Sequence, residues 1–251
     1  MPLATGLRTG SSRSATRPGT DGHALYLLGG FRLVREGQPV SLPNHGQRLI
    51  ALLGLTGPYS RTATAGTLWP EVSEQQAQGS LRTALWRLKR LWPGLVTAAE
   101  QGLALNPLVE VDTAKFVNAA MRTLEGGPLQ RREQPCLGNL AAGELLPGWY
   151  DDWVVFERER LRQLQMHALE RLSEQLATQR RFALALEAAL EAVRMEPLRE
   201  SAHASVIAVH LAESNVIEAR RHFEHVRRLL WAELQVEPSP RLRAMVSFQV
   251  S

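Results

Sequence analysis

An apolar stripe in the segment 80–93, SLRTALWRLKRLWP, constrains the fold more than any other feature of this chain of 251 residues. Its apolar residues recur at intervals of four, three and four: Leu81, Leu85, Leu88 and Trp92. This spacing is typical of one buried face on an α-helix. Ser73 is a favourable N-cap and Pro93 cannot continue a helix. The sequence therefore predicts a helix of about 18 residues between them, about 27 Å long.

The rest of this predicted helix is basic, because four cations fall outside the stripe: Arg82, Arg87, Lys89 and Arg90. A run of charges is most often a solvated face, so its meaning depends on the remaining sequence. The formal net charge of the chain is +4, and it is unevenly distributed. Residues 1–106 carry 11 Lys or Arg against 5 Asp or Glu, whereas the remainder carries 18 against 20. This asymmetry favours a polyanion-binding module joined to a module with another role.

The elements on either side of the helix indicate what the basic face is for. Short β-prone runs between residues 23 and 43 predict three antiparallel strands. Two helices follow, one capped by Asn44 and one capped by Ser60 or Thr62. Beyond the long helix, residues 95–107 predict a hairpin. Three strands, three helices and a hairpin form a winged helix-turn-helix, whose third helix lies in the major groove of DNA.

The second half of the sequence is helical nearly throughout. Residues 112–124 predict a helix capped by Asp112, and a longer helix runs from about Asp151. Beyond it, small or apolar residues recur 34 positions apart, as in Ala185 and Ala219. Thirty-four residues is the period of tetratricopeptide repeats, each of which is an antiparallel pair of helices. The sequence therefore predicts an all-α, tetratricopeptide-like domain.

The predicted fold class is mainly α with a small β part, in two domains. A tail rich in Gly, Ser and Arg over residues 1–22 is expected to be disordered. A winged-helix DNA-binding domain over 23–108 precedes a helical domain over 109–251. A fragment that ends near Asn106 is expected to fold and bind DNA alone, since its strands, helices and wing can bury a core of their own.

Five motifs, in this order, resemble the Streptomyces antibiotic regulatory protein family. They are LYLLGGFRLVREGQPVSLP, LWP with AQGSLRTALWRLKRLW, LLPGWYDDWVVFERERL, MEPLRESAH and LQVEP. The resemblance covers about residues 24–245 and implies an OmpR-type winged helix followed by a bacterial transcriptional activator domain. It also implies an activator of a secondary-metabolite (antibiotic) gene cluster. Such a protein binds direct repeats in double-stranded promoter DNA, as a dimer or as tandem copies, and contacts RNA polymerase holoenzyme in the bacterial cytoplasm.

The resemblance places the groove-facing helix of the family at residues 74–91. The positions that match DNA-facing ones are Arg82, Thr83, Trp86, Arg87, Lys89 and Arg90. The first four match positions that face bases or adjoining phosphates, and the last two lie on the backbone side. Trp86 stands where a polar residue is usual, so it either contacts a thymine methyl group or belongs to the core. Leu103 stands where the wing usually carries an aromatic residue.

Other classes of function have weaker support. A protein-interaction scaffold whose winged helix does not bind DNA is the alternative, but it gives no reason to concentrate cations on one helix. Asp151 and Asp152 are adjacent and do not share a helix face, and His222 and His225 lack a further ligand at metal-site spacing. Cys136 has no adjacent basic residue to activate its thiol. We therefore predict no enzyme, no cofactor, no metal site and no membrane span, since no apolar run approaches about 18 residues.

Overall fold

The computed structural model describes residues 22–100, 102–126, 137–140 and 143–247. Cys136 and the predicted tail, apart from Gly22, lie outside the described residues. The strands are β1 (His23–Tyr26), β2 (Arg32–Arg35), β3 (Gln38–Val40), β4 (Val96–Ala99), β5 (Gly102–Leu105) and β6 (Val109–Val111). The helices are α1 (Asn44–Thr56), α2 (Arg61–Leu68), α3 (Glu74–Leu91), α4 (Asp112–Glu125), α5 (Leu137–Leu140), α6 (Asp152–Thr178), α7 (Phe182–Met195), α8 (Glu200–Ala212), α9 (Val216–Leu234) and α10 (Pro240–Ser247). The predicted fold class is confirmed, with the strands and helices of a winged helix-turn-helix in the expected order. The expectation that Asn44 caps α1 is wrong, because Pro43 is the N-cap and Asn44 is the first residue of the helix.

Helix α3 forms where the apolar stripe predicts it. Ser73 begins the helix with a reciprocal capping box: its Oγ accepts the N–H of Gln76 at 3.4 Å, and Gln76 Oε1 accepts the N–H of Ser73 at 3.2 Å. Three of the four stripe residues are buried: Leu81, Leu88 and Trp92. Leu85 is half-buried and packs against the same core. Burial of this face fixes the rotation of α3 and turns its basic side to solvent.

Strands β4 and β5 form an antiparallel wing that is tied to the segment before α2. Backbone hydrogen bonds of 2.8 Å run in both directions between Tyr59 and Leu103. Glycine is required at position 102, because its φ is +133° and a Cβ there would lie 2.2 Å from the Tyr59 carbonyl oxygen. Leu103 is buried, so the wing supplies a core residue at this position.

Helices α6 to α9 pack against one another in chain order. Helix α7 makes close contacts because four of its alanines are fully buried: Ala185, Ala188, Ala189 and Ala192. Ala219 and Val226 of α9, which follow Ala185 and Ala192 by 34 residues, are buried as well. The sequence repeat does not predict α10, which packs on α8 and α9. In the described part of the chain, no helix has the length and apolar character needed to cross a membrane.

The two halves of the chain are joined through the N-terminal sheet, whose strand order is β3-β2-β1-β6 with β6 parallel to β1. The carboxylate of Asp112 accepts hydrogen bonds from the N–H groups of Leu27 and Leu28 at 2.9 to 3.0 Å. The expectation that Asp112 caps α4 is therefore wrong: Val111 is the N-cap, and the carboxylate binds the chain that leaves β1. The predicted domain boundary between residues 108 and 109 stays a prediction. Strand β6 follows this boundary in the sequence but belongs to the N-terminal sheet.

The segment before α6 makes a second set of contacts between the halves. The N–H of Leu146 donates to the carbonyl of Leu27 at 2.9 Å. Arg158 of α6 fixes this segment by donating to three backbone carbonyls, those of Leu145, Leu146 and Trp149. Asp151 forms an ion pair with Arg48 of α1, so this acid at the start of α6 has a structural partner.

Candidate nucleic-acid interface

All six DNA-contact residues predicted on α3 are exposed: Arg82, Thr83, Trp86, Arg87, Lys89 and Arg90. The indole of Trp86 is 58% exposed, which excludes the alternative that it belongs to the core. The guanidinium of Arg90 lies over this ring, 4.9 Å from its centroid. Such a cation–π contact holds both side chains on the outer face of the helix.

The helical period divides the exposed residues into two flanks and a central strip. At about 100° per residue, Arg82 and Lys89 lie about 20° apart on one flank. Thr83 and Arg87 lie about 40° apart toward the other flank, with Trp86 and Arg90 in the central strip. A helix in the major groove meets base edges along its outer face and the two phosphate backbones along its flanks. The arrangement therefore presents cations to both backbones.

The cations of α3 lack the acidic neighbours that several arginines of the helical half have. Among the described residues, none of the four forms an ion pair: Arg82, Arg87, Lys89 and Arg90. By contrast, six arginines of α6, α7 and α9 pair with a glutamate three positions away on the same helix, as in Arg194 with Glu191 and Arg227 with Glu224. An exposed arginine with an acidic partner projects little net charge. Helix α3 therefore presents, on one exposed face, four positive charges without an acidic partner in the described part of the chain.

A groove lies between α3 and the start of α1, with a volume of about 470 Å³. We refer to it as the α1–α3 groove. Its lining residues are Pro43, His45, Gly46, Trp69, Gln76, Gly79, Ser80, Thr83, Ala84, Arg87, Leu88 and Leu91. Thr83 and Arg87 belong both to this lining and to the predicted DNA contacts. Sequence reasoning missed the groove, since its walls come from three helices separated along the chain.

Two histidines of the helical half, His203 and His222, are hydrogen-bonded to each other. His203 lies 2.7 Å from the carbonyl of Pro197 through Nε2 and 3.0 Å from His222 Nε2 through Nδ1. A carbonyl only accepts, so the neutral His203 donates through Nε2 and accepts from His222. Burial, together with the neighbouring histidines, lowers the pKa of His222 to about 4. Within the described ranges, no three His, Cys, Asp or Glu residues are grouped to hold a metal ion.

Comparison with known proteins identifies the helical half. A family model described as the bacterial transcriptional activator domain matches residues 111–247, which is more than half of the chain. The chain belongs to this family. It is also 30% identical over 231 residues to the regulatory protein AfsR of Streptomyces coelicolor. That match covers 87% of this chain and 23% of the relative, so the chain spans about a quarter of the length of AfsR.

A solved structure has the same fold as this chain. Mycobacterium tuberculosis EmbR, in complex with a low affinity phosphopeptide, superimposes with a TM-score of 0.70 at 21% identity. The match covers 89% of this chain and 64% of that one, and at this identity it supports the fold alone. Membership of the Streptomyces antibiotic regulatory protein family, expected from the five motifs, is confirmed by the family match and by AfsR.

Proposed function

We infer that this protein is a sequence-specific DNA-binding transcriptional activator in which α3 enters the major groove. The observation that carries the inference is the set of four cations on the exposed face of α3 that form no ion pair with any residue the structure describes. Since α3 is the third helix of a winged helix-turn-helix, this face is the one that such folds place on DNA. A protein-interaction scaffold is the alternative, and it assigns no role to unpaired cations opposite a buried stripe.

Each exposed residue of α3 has a proposed role. Arg82 and Arg87 contact base edges or adjoining phosphates, and a guanidinium can bind guanine O6 and N7 with two hydrogen bonds. Thr83 and Trp86 can pack against a thymine methyl group, since both present apolar surface to solvent. Lys89 and Arg90 are assigned to the phosphate backbone: Lys89 lies on a flank, and Arg90, although in the central strip, lies in the last turn of α3. No residue of the chain is assigned a catalytic, cofactor-binding or metal-binding role.

The helical half, proposed as residues 109–251, serves protein partners. Stacked helix pairs build extended surfaces suited to proteins, and the balance of 18 basic to 20 acidic residues beyond position 106 gives them no excess of positive charge for DNA. We assign to this half the contact with RNA polymerase holoenzyme and the contacts between copies on direct repeats. The proposed setting is the promoter of an antibiotic gene cluster in a bacterial cytoplasm.

A mobility-shift titration tests this function. The full chain is titrated onto promoter fragments from its neighbouring genes and onto random duplex DNA of the same length. We expect tighter binding to a promoter fragment, and a loss of about 1–3 kcal/mol of specific binding in Arg82→Ala or Arg87→Ala. Arg221→Ala is the matched control, because Arg221 is an exposed arginine of α9 that pairs with Glu218.

Two results would count against the inference. If no promoter fragment bound more tightly than random duplex DNA of the same length, sequence-specific recognition of DNA would be excluded. If all the α3 variants bound DNA with wild-type affinity, α3 would not be the DNA-binding surface. DNA would then contact another part of the chain, or the protein would be an interaction scaffold. Equal losses on specific and random DNA in one variant would reassign that arginine to the phosphate backbone.

A further inference from the structure

The α1–α3 groove has the size and lining of a small-molecule site. Its volume of about 470 Å³ lies within the range of ligand pockets, about 300–1,000 Å³, which are mostly apolar with a few convergent polar groups. Buried Ala84 and Leu88 contribute apolar lining. The rings of His45 and Trp69 also line the groove, with centroids 5.8 Å apart and planes tilted by 43°. This lining suits a planar aromatic ligand.

The charged side chains of the groove lining indicate the charge of the ligand. Arg87 contributes a guanidinium that has no ion-pair partner among the described residues, and no Asp or Glu lines the groove. Gln76 and Ser80 add side chains that can donate hydrogen bonds, whereas the hydroxyl of Thr83 donates to the carbonyl of Gly79. A carboxylate can accept a bidentate pair of hydrogen bonds from Arg87, which is the strongest geometry available to it. The groove is therefore suited to a monoanion.

A DNA strand is a less suitable occupant of the same groove. Duplex DNA carries about one negative charge per 1.7 Å of its axis, and proteins that follow the backbone match it with several cations. Arg87 is the one arginine or lysine in the groove lining, and much of the remaining lining is apolar. Arg82 and Lys89 lie about 140–160° around α3 from Arg87, on the flank away from the groove. That flank is the better match for a line of phosphates.

We propose that the α1–α3 groove binds a small aromatic carboxylate, with its ring against Trp69 and its carboxylate on Arg87. Thr83 and Arg87 are also proposed DNA contacts, so the bound anion and the duplex compete for the same side chains. The small molecule is thus a negative effector of DNA binding. The proposal that the groove binds an anion is argued from the groove lining alone. Only the competition between the anion and DNA rests on the proposed function.

Calorimetric titration of the full chain with 2-naphthoate tests the binding site, with neutral 2-naphthamide as the comparison ligand. We expect 2-naphthoate to bind, and Arg87→Gln to weaken it about tenfold or more while leaving 2-naphthamide unchanged. Ser80→Leu fills the groove and abolishes binding of both ligands. Arg82→Gln is the matched control on the other flank of α3 and binds 2-naphthoate as the wild type does. Circular dichroism establishes that each variant is folded.

The proposal is overturned if the folded wild type binds no 2-naphthoate at millimolar concentration. It is equally overturned if Arg87→Gln and Ser80→Leu both bind 2-naphthoate with wild-type affinity. Either result would show that the groove is not a ligand site. The proposal that α3 binds DNA would not be affected.

A mobility shift on random duplex DNA tests the competition. Saturating 2-naphthoate should raise the Kd for DNA in the wild type and in Arg82→Gln, but not in Ser80→Leu. DNA affinity that is insensitive to bound 2-naphthoate would overturn the role as a negative effector. A chain that binds 2-naphthoate but no DNA would refute the proposed function and leave the groove assignment in place.

Discussion

Replacing Asp112 by alanine tests how much the junction between the two halves contributes to stability. The carboxylate is the acceptor for two backbone N–H groups, those of Leu27 and Leu28. Its removal leaves both part-buried donors without this partner, at about 1–3 kcal/mol each. Two such donors give about 2–6 kcal/mol.

The cost of burying the carboxylate offsets part of this contribution. Burial raises the pKa of Asp112 above its ordinary value, and this effect exceeds the opposing effect of the backbone hydrogen bonds. We therefore expect the lower part of the range: Asp112→Ala should reduce the free energy of unfolding by about 2–4 kcal/mol. Asp112→Asn keeps one carbonyl acceptor and removes the buried charge, so its loss should be smaller.

Urea unfolding of the full chain, followed by circular dichroism and tryptophan fluorescence, measures these differences. Glu110→Ala is the matched control, since Glu110 is a nearby acid whose ion pair with Lys115 is exposed. A surface pair of this kind contributes about 0–1 kcal/mol. If Asp112→Ala and Glu110→Ala had the same unfolding free energy, the carboxylate would not hold the two halves together and the reasoning would fail.

Three further predictions concern DNA binding, pH and the boundary between the halves. Lys89→Gln should reduce the slope of log affinity against log salt on random duplex DNA by about 0.9, and an unchanged slope would place Lys89 away from phosphate. The pKa of His222 is lowered to about 4, so protonation opposes folding: the stability gained from neutral His222 is complete above about pH 6.5 and is lost as pH falls toward 4. His222→Gln should therefore flatten the fall in urea midpoint between pH 7 and pH 5, whereas an equal fall in both proteins would contradict this. A fragment that ends at Asn106 is still expected to fold, but it lacks β6 and Asp112, so it should unfold at lower urea than the full chain; an equal midpoint would show that β6 and Asp112 add no stability.

Local pattern was sufficient to predict α3 and its exposed face. The apolar period sets which side of the helix is buried, and Ser73 sets where it begins, so both follow from residues within one helix length. The same period placed Trp86 away from the stripe, and its exposure agrees with that position. The candidate DNA-contact residues were therefore within reach of sequence reasoning.

Contacts between distant segments were not predictable in this way. The parallel pairing of β1 with β6 joins strands about 85 positions apart, and a three-residue strand carries too little pattern to name its partner. Asp112 has the side chain of a typical N-cap, and only the position of Leu27 shows that its carboxylate serves β1 instead. The α1–α3 groove has the same origin, since His45 and Trp69 meet only after three helices have packed.

The joint between the halves has a consequence for promoter geometry. Because β6, Asp112 and the Arg48–Asp151 ion pair fix the helical half against the winged helix, the base pairs that α3 reads also set the side of the duplex on which the helical half stands. A turn of B-DNA takes about 10–10.5 base pairs. Inserting five base pairs between the operator and the core promoter would carry the helical half to the opposite side of the double helix, and inserting ten would return it. For the proposed activator, transcription should therefore rise and fall with the helical phase of the insertion rather than decline steadily with its length.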